Sequence, residues 1–172
     1  MKYRIGKSTD IHQLVENRDL IIGGVKIPSK KGLLGHSDAD VLLHAISEAV
    51  LGALGLEDLG TYFPDNAKET ENMDSMIILE KVYEMMVKEG YQINNVDSLI
   101  IIEEPKMKPY IKQMKENIAR VLHCDINQIA VKATCMEHMG FVGKGEGAIA
   151  EAVVMIEKLW AQSNMQIKTL SY

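Results

Sequence analysis

The sequence predicts an α/β domain, in the sense of an α+β sandwich: one mixed, four-stranded sheet with helices packed on one face. Three observations carry this. Strand-like and helix-like stretches alternate through the middle of the chain, as in layered sheet-and-helix domains. The length, 172 residues, is that of one domain with a substantial core. The composition, 47% apolar and 25% charged, is that of a folded soluble chain rather than a disordered one. A net charge of −5, with no basic run beyond a pair such as Lys30-Lys31, argues against non-specific nucleic-acid binding, which needs Lys and Arg against phosphates. A small anionic substrate needs only a few local cations, amides or metals, so that class stays open. Cys124 and Cys135 make no C-x-x-C pattern, and Met1-Lys2-Tyr3-Arg4 lacks the apolar core of a signal peptide. With no apolar run of transmembrane length, a cytoplasmic location is expected. Residues 1–159 read as the single domain and 160–172 as a tail without a motif.

Each element has its own signal. Tyr3–Leu14 reads as a strand, and Leu20–Ile27 as a short hairpin around Gly23-Gly24, closed by Pro28. Lys30 to Gly35 is a loop. Ser37, three residues ahead of Asp40, has the spacing of a capping box that opens a helix. Behind it Val41, Leu42, Ala45, Ile46, Ala49, Val50 and Ala53 recur at helical spacing, up to Leu54 and a stop at Gly55. Glu57 to Asn66 is irregular and rich in turn formers, and Glu69 to Asp74 is an acidic, solvated loop. Asp74-Ser75 caps a helix over Met76–Lys88, whose Ile77, Ile78, Val82, Met85 and Met86 form one apolar side, and Gly90 ends it. Val96–Ile102 is a strand whose run Leu99-Ile100-Ile101-Ile102 is apolar enough for burial on both faces. A third helix covers Lys108 to Leu122, with His123 suited to its C-terminus. Ile129–Glu137 alternates as a strand, Gly140–Gly147 is a glycine-dense loop with a weak phosphate-loop pattern, and Ala148–Leu159 favours strand over helix.

Asp10 and His12, two apart on a strand, leave the same face, and His44 lies about two turns into the first helix. Two His and one Asp are the ligand set of a catalytic zinc site with its fourth position open. The alternative is an Asp in a turn and a hydrogen-bonded core histidine, and a D-x-H pair by itself does not decide between them.

The rest of the chain does bear on it. Asp10-Ile11-His12, His36-Ser37-Asp38-Ala39-Asp40, His44-Ala45, Asp58-Leu59-Gly60, Phe63-Pro64-Asp65, Pro105-Lys106, Lys132-Ala133-Thr134, Glu137 and Gly140-Phe141-Val142-Gly143-Lys144-Gly145-Glu146-Gly147 follow one another in the order of a known family. With these motifs the chain resembles the 2-C-methyl-D-erythritol 2,4-cyclodiphosphate synthases of the non-mevalonate isoprenoid pathway, over Tyr3 to Leu159. The resemblance implies a homotrimer with active sites between subunits, and a substrate, 4-diphosphocytidyl-2-C-methyl-D-erythritol 2-phosphate, that cyclises with loss of CMP. It implies zinc on Asp10, His12 and His44, and magnesium or manganese on Glu137. His36 and Ser37 would position the attacking phosphate, with His36 and Cys135 closest to the chemistry. Asp58, Leu59, Gly60, Phe63, Pro64 and Asp65 would cradle the methylerythritol part. Ile102, Glu103, Glu104, Pro105, Lys106, Met107 and Lys108, with Thr134, Cys135 and Met136, would hold the cytidine diphosphate end, and Phe141 and Lys144 complete the substrate-binding set. Attack of one anion on another is slowed by charge repulsion, so positioning and cations serve it and no protein nucleophile is required.

Several positions depart from the family pattern. Gly6-Lys7-Ser8-Thr9-Asp10 lacks the usual aromatic residue before Asp10. Glu57 stands where Gly is usual, Ala67 and Glu48 where Asp is, Cys135 where a phosphate-binding Thr is, and Lys144 where Arg is. None removes a metal ligand, so they bear on turnover rate rather than reaction type. Two other functions compete. One is a trimeric protein that binds isoprenoid diphosphates in a cavity on the threefold axis, which Thr9 and Lys144 would alter and Glu151 would border. The other is a general zinc phosphoesterase. The Pro105-Lys106 segment favours the synthase over both.

Overall fold

In the computed structural model, which describes residues 1–64 and 73–159, the strand β1 (Tyr3–Glu16) turns Ser8, Asp10, His12 and Leu14 inward and Ile5, Thr9 and Ile11 outward. β2 (Leu20–Ile22) and β3 (Val25–Ile27) form the expected hairpin, its turn made by Gly23 and Gly24 with φ of 62° and 68°. Two consecutive positive φ values are what a tight two-residue hairpin turn requires. β4 (Lys31–Leu33) lies within the stretch read as a loop and pairs antiparallel with β1, Leu14 opposite Leu33. The sheet therefore has five strands, not four; three residues are too few to show alternation.

α1 (Val41–Leu54) is capped by Asp40, not Ser37: the Asp40 carboxylate accepts from the N–H groups of Leu42 and Leu43. Gly55, left-handed at φ 75°, ends it as predicted. The helix lies against β1 at Gly6, where an added Cβ would fall 1.8 Å from the carbonyl oxygen of Ala49. That close approach seats the helix on the strand and brings His44 over Asp10. A short helix, α2 (Leu59–Tyr62), interrupts the predicted irregular stretch, its N-cap Asp58 accepting from Thr61 N–H. α3 (Ser75–Lys88) starts at Asp74 as expected.

β5 (Tyr91–Ile101) alternates: Ile100 and Ile102 are buried, whereas Leu99 and Ile101 face the opposite side half-buried, so the run is not buried on both faces. α4 (Ile111–Val121) and a 3₁₀ turn (Ile126–Gln128) lead to β6 (Ile129–Thr134), parallel to β5. The glycine-dense stretch contains one helical turn, α5 (Gly140–Gly143), and β7 (Gly147–Lys158) is a strand between β1 and β5. The order β4-β1-β7-β5-β6 is mixed, with helices on one face. The core fills the space between sheet and helices. The other face carries exposed apolar side chains, with Ile5 67%, Ile11 56% and Val153 42% exposed. No described helix is long and apolar enough to cross a membrane.

Candidate active site and metal centre

Asp10, His12 and His44 converge where β1 meets α1. His12 Nε2 and Asp10 Oδ2 are 3.0 Å apart, His44 Nδ1 and Asp10 Oδ2 3.1 Å, and the two imidazole nitrogens 3.2 Å. Bonds of about 2.0 Å at tetrahedral angles need ligand atoms about 3.3 Å apart, so the triangle fits one face of a zinc tetrahedron. Among the described residues it is the one His/Cys/Asp/Glu group of three with this spacing.

The outward-facing atoms of both rings decide what the inner atoms are. His12 Nδ1 lies 2.7 Å from the carbonyl oxygen of Leu34, which can only accept, so Nδ1 carries hydrogen and Nε2 presents a lone pair. His44 Nε2 faces Ser75 Oγ at 2.9 Å and Ser37 Oγ at 3.1 Å. Ser75 Oγ donates to Asp38 Oδ1, and Asp38 Oδ2 accepts from Ser75 N–H at 3.1 Å. With its hydroxyl hydrogen on Asp38, Ser75 accepts from His44 Nε2–H, and His44 Nδ1 is left as a lone pair. Three acceptors then face one point, an arrangement that a cation stabilises. Burial opposes charge on Asp10, but its contacts with the His12 and His44 rings prevail and hold its carboxyl well below the usual range. Burial likewise lowers His12, and the Asp10 carboxylate overcomes it and raises it.

The triangle forms part of the wall of a cavity of about 400 Å³, together with His36, Ser37, Leu59, Gly60 and Phe63. Ser8, Thr9, Gly35, Glu48 and Ile78 line it too. Glu48 Oε2 also accepts from Leu59 N–H at 2.9 Å, tying the start of α2 to α1. Asp58 does not line the cavity; it is spent capping α2, through Thr61 N–H and Oγ1–H at 2.9 Å each. Pro64 lies outside the lining, and Asp65 and Ala67 fall outside the described residues.

A second cavity of about 460 Å³ gathers Ile102, Pro105, Lys106, Met107, Lys108, Thr134 and Cys135, with Ile111 and Ala133. It shares no residue with the first, and β7 stands between β1, which walls the first, and β5 and β6, whose ends border the second. Glu103, Glu104, Met136, Glu137, Phe141 and Lys144 line neither cavity. Glu103 is buried and turned to the turn after β6, where its carboxylate accepts from Met136 N–H at 3.1 Å and pairs with His138 Nδ1 at 3.1 Å. Cys135 Sγ donates to Glu137 Oε1 at 3.2 Å. Cys124 is remote from both cavities, and burial pushes its thiol up to about 11.

Asp40, in the middle of the densest motif, is wholly buried and structural. Its Oδ1 accepts from Gly23 N–H at 2.9 Å, Leu42 N–H at 3.2 Å and Leu43 N–H at 3.1 Å, and Oδ2 from Gly24 N–H at 2.7 Å. One carboxylate thus caps α1 and clamps it to the hairpin. Sequence reasoning missed Asp38, Ser75 and Arg18 as supports of the site. Ser75 carried a helix-cap signal, but nothing local pointed it at His44.

The sequence profile of the YgbB family matches residues 3–157. A protein of Geobacillus sp. (strain WCH70) named 2-C-methyl-D-erythritol 2,4-cyclodiphosphate synthase is 53% identical over 156 residues, 91% of this chain and 99% of its own. The solved structure of Plasmodium falciparum IspF in complex with CDP superposes with a TM-score of 0.81 at 35% identity, covering 92% of this chain and 98% of that one. The bifunctional IspDF of Campylobacter jejuni gives 0.88 at 37% identity, covering 92% of this chain and 43% of that longer one.

Proposed function

The chain belongs to the YgbB family, and from that premise we infer that it catalyses the reaction for which its relatives are named, formation of 2-C-methyl-D-erythritol 2,4-cyclodiphosphate. The substrate is 4-diphosphocytidyl-2-C-methyl-D-erythritol 2-phosphate. An oxygen of its 2-phosphate bonds to the β-phosphorus, the bond from that phosphorus to the CMP oxygen breaks, and CMP leaves. The step belongs to the non-mevalonate route to isoprenoid precursors. The observation that carries the reading is the triangle of three acceptors opening into a cavity walled by His36 and Ser37.

Asp10, His12 and His44 would hold zinc, and Glu137 magnesium or manganese; bound there, such ions supply positive charge against phosphate oxygens. His36 and Ser37 orient the attacking phosphate from the loop before α1. Leu59, Gly60 and Phe63 enclose the methylerythritol carbons and exclude water. Backbone groups of Ile102–Lys108 and the Thr134 hydroxyl hold the cytidine diphosphate end, and Cys135 stands where the leaving phosphate passes. Catalysis here rests on orientation and electrostatics, and no covalent phosphoryl-enzyme is needed.

The substrate's two ends are assigned to cavities with no residue in common. That division supports a site completed by a neighbouring copy, whose cytidine cavity faces the metal triangle, in a homotrimer. The exposed apolar face of the sheet, with Ile5, Ile11 and Val153, is the surface such an assembly would bury. The same face would border a threefold cavity; there Glu151 meets Lys7 at 3.8 Å and Thr9 at 3.5 Å, a polar lining for an isoprenoid diphosphate.

Incubating the purified protein with the cytidyl substrate tests the reading, with CMP and cyclic product followed together. Equal amounts of both are expected. CMP with a linear product would point to a phosphoesterase, and no turnover with tight isoprenoid diphosphate binding to a binding protein.

A further inference from the structure

We infer that Arg18 is a positioning residue for the cyclisation, holding the Leu34–Ser37 loop so that His36 and Ser37 keep their places in the metal-site cavity. Arg18 lies in the turn between β1 and β2, outside the lining of that cavity. Its Nη2 donates to the carbonyl oxygen of Gly35 at 2.9 Å and to that of Ser37. The two acceptors belong to the residues on either side of His36. Two carbonyl oxygens brought to one nitrogen repel each other, and a cationic donor with two hydrogens on that nitrogen offsets the repulsion where a neutral one would not.

The rest of the loop is tied to the triangle. Leu34 offers its carbonyl to His12, and Ser37 Oγ accepts from Ala39 N–H at 3.1 Å while facing His44 Nε2. The loop is therefore gripped at residues 34, 35 and 37, with His36 between the last two grips. Removing the guanidinium takes one hydrogen bond from the backbone on each side of His36, while the contacts of Leu34 with His12 and of Ser37 with Ala39 and His44 remain. The consequence falls on orientation of the phosphate rather than on metal content, and displacement of a reacting group by about 1 Å can cost about a hundredfold in rate. The inference rests on the proposed reaction and on His36 acting in it.

Arg18 also lines a separate cavity of about 530 Å³ with Asn17, Asp19, Ser29, Lys30 and Asp38. In an Arg18→Ala variant a small added cation can enter there, which provides a decisive test. Steady-state kinetics with bound-zinc analysis are run on wild type, Arg18→Ala, Arg18→Lys, His36→Ala and the Arg18→Ala/His36→Ala double variant, with and without methylguanidinium. We expect kcat of Arg18→Ala to fall by about a hundredfold with zinc content unchanged, Arg18→Lys to fall between it and wild type, and methylguanidinium to restore Arg18→Ala alone. The double variant should be no slower than His36→Ala, because both changes remove one function. A purely structural Arg18 predicts a loss of kcat matched by a loss of stability, which urea unfolding of Arg18→Ala beside wild type reads. Wild-type kcat in Arg18→Ala, or a loss that methylguanidinium only deepens, overturns the inference. If Arg18→Ala does not fold, wild-type kcat in Arg18→Lys overturns it equally. Wild-type protein that releases no CMP defeats the reaction and the inference together, and a fully active His36→Ala defeats the role of His36.

Discussion

Ser75→Ala is a direct way to ask whether the wall behind His44 sets the metal site. The hydroxyl is the shorter of two contacts to His44 Nε2, 2.9 Å against 3.1 Å for Ser37, and it alone passes the contact on to a carboxylate, Asp38. Removing it leaves Ser37 Oγ as the remaining acceptor for Nε2–H. Partners that orient metal-bound histidines contribute about 10- to 100-fold to metal affinity. With one of two acceptors retained, the lower end applies, so zinc affinity should weaken about tenfold, or about 1.4 kcal/mol. Ser37→Ala/Ser75→Ala removes both acceptors and leaves the tautomer of His44 unset, and should approach about a hundredfold. Titration against a competing chelator at constant pH reads this out without substrate, while urea unfolding of the metal-free proteins separates it from lost stability. Zinc affinity within twofold of wild type in the double variant would refute the reasoning, because the site would then hold His44 without either hydroxyl.

Asp40 sets a pH dependence of stability. Burial pushes its carboxyl from 3.8 up to about 6, against the pull of the Gly24, Gly23 and Leu43 N–H groups. The Asp38 charge adds to the rise, so the folded chain keeps this proton where the unfolded chain has lost it, and stability falls as pH rises from about 4 to about 6. Metal-free Asp40→Asn should lack this component, so parallel urea curves for the two proteins across that window would disprove it. Glu137→Gln should retain zinc but respond weakly to added magnesium, since a neutral amide attracts a hard cation less; turnover against magnesium concentration checks this. Cys135→Thr should raise the cyclisation rate, by up to about a hundredfold, and abolish sensitivity to thiol reagents, because a hydroxyl is a better donor to a phosphoryl oxygen than a thiol. A fall in kcat would show that the thiol, which now donates to Glu137, is matched to its own site.

The sequence by itself determined whatever depends on neighbours within a turn or a strand. Asp74 and Gly90 bound α3, Gly55 ends α1, and Gly23-Gly24 turn the hairpin, because caps and positive φ are local demands. Alternation along β1 was enough to put Asp10 and His12 on one face, and motif order was enough for the family. Only the tertiary structure decided the partners, because hydrogen bonds across the fold are chosen by packing and leave no period in the chain. Ser75 reaches His44 from 31 positions away, Arg18 grips the carbonyls of residues 35 and 37, and Asp40 serves the hairpin as well as the helix it precedes. Lys31–Leu33 became a fifth strand through pairing with β1, a partner no three-residue pattern can announce. The division of the predicted site into two cavities likewise follows from the strand order, since β7, last in the chain, inserts between β1 and β5 and parts the residues that the motifs had grouped together.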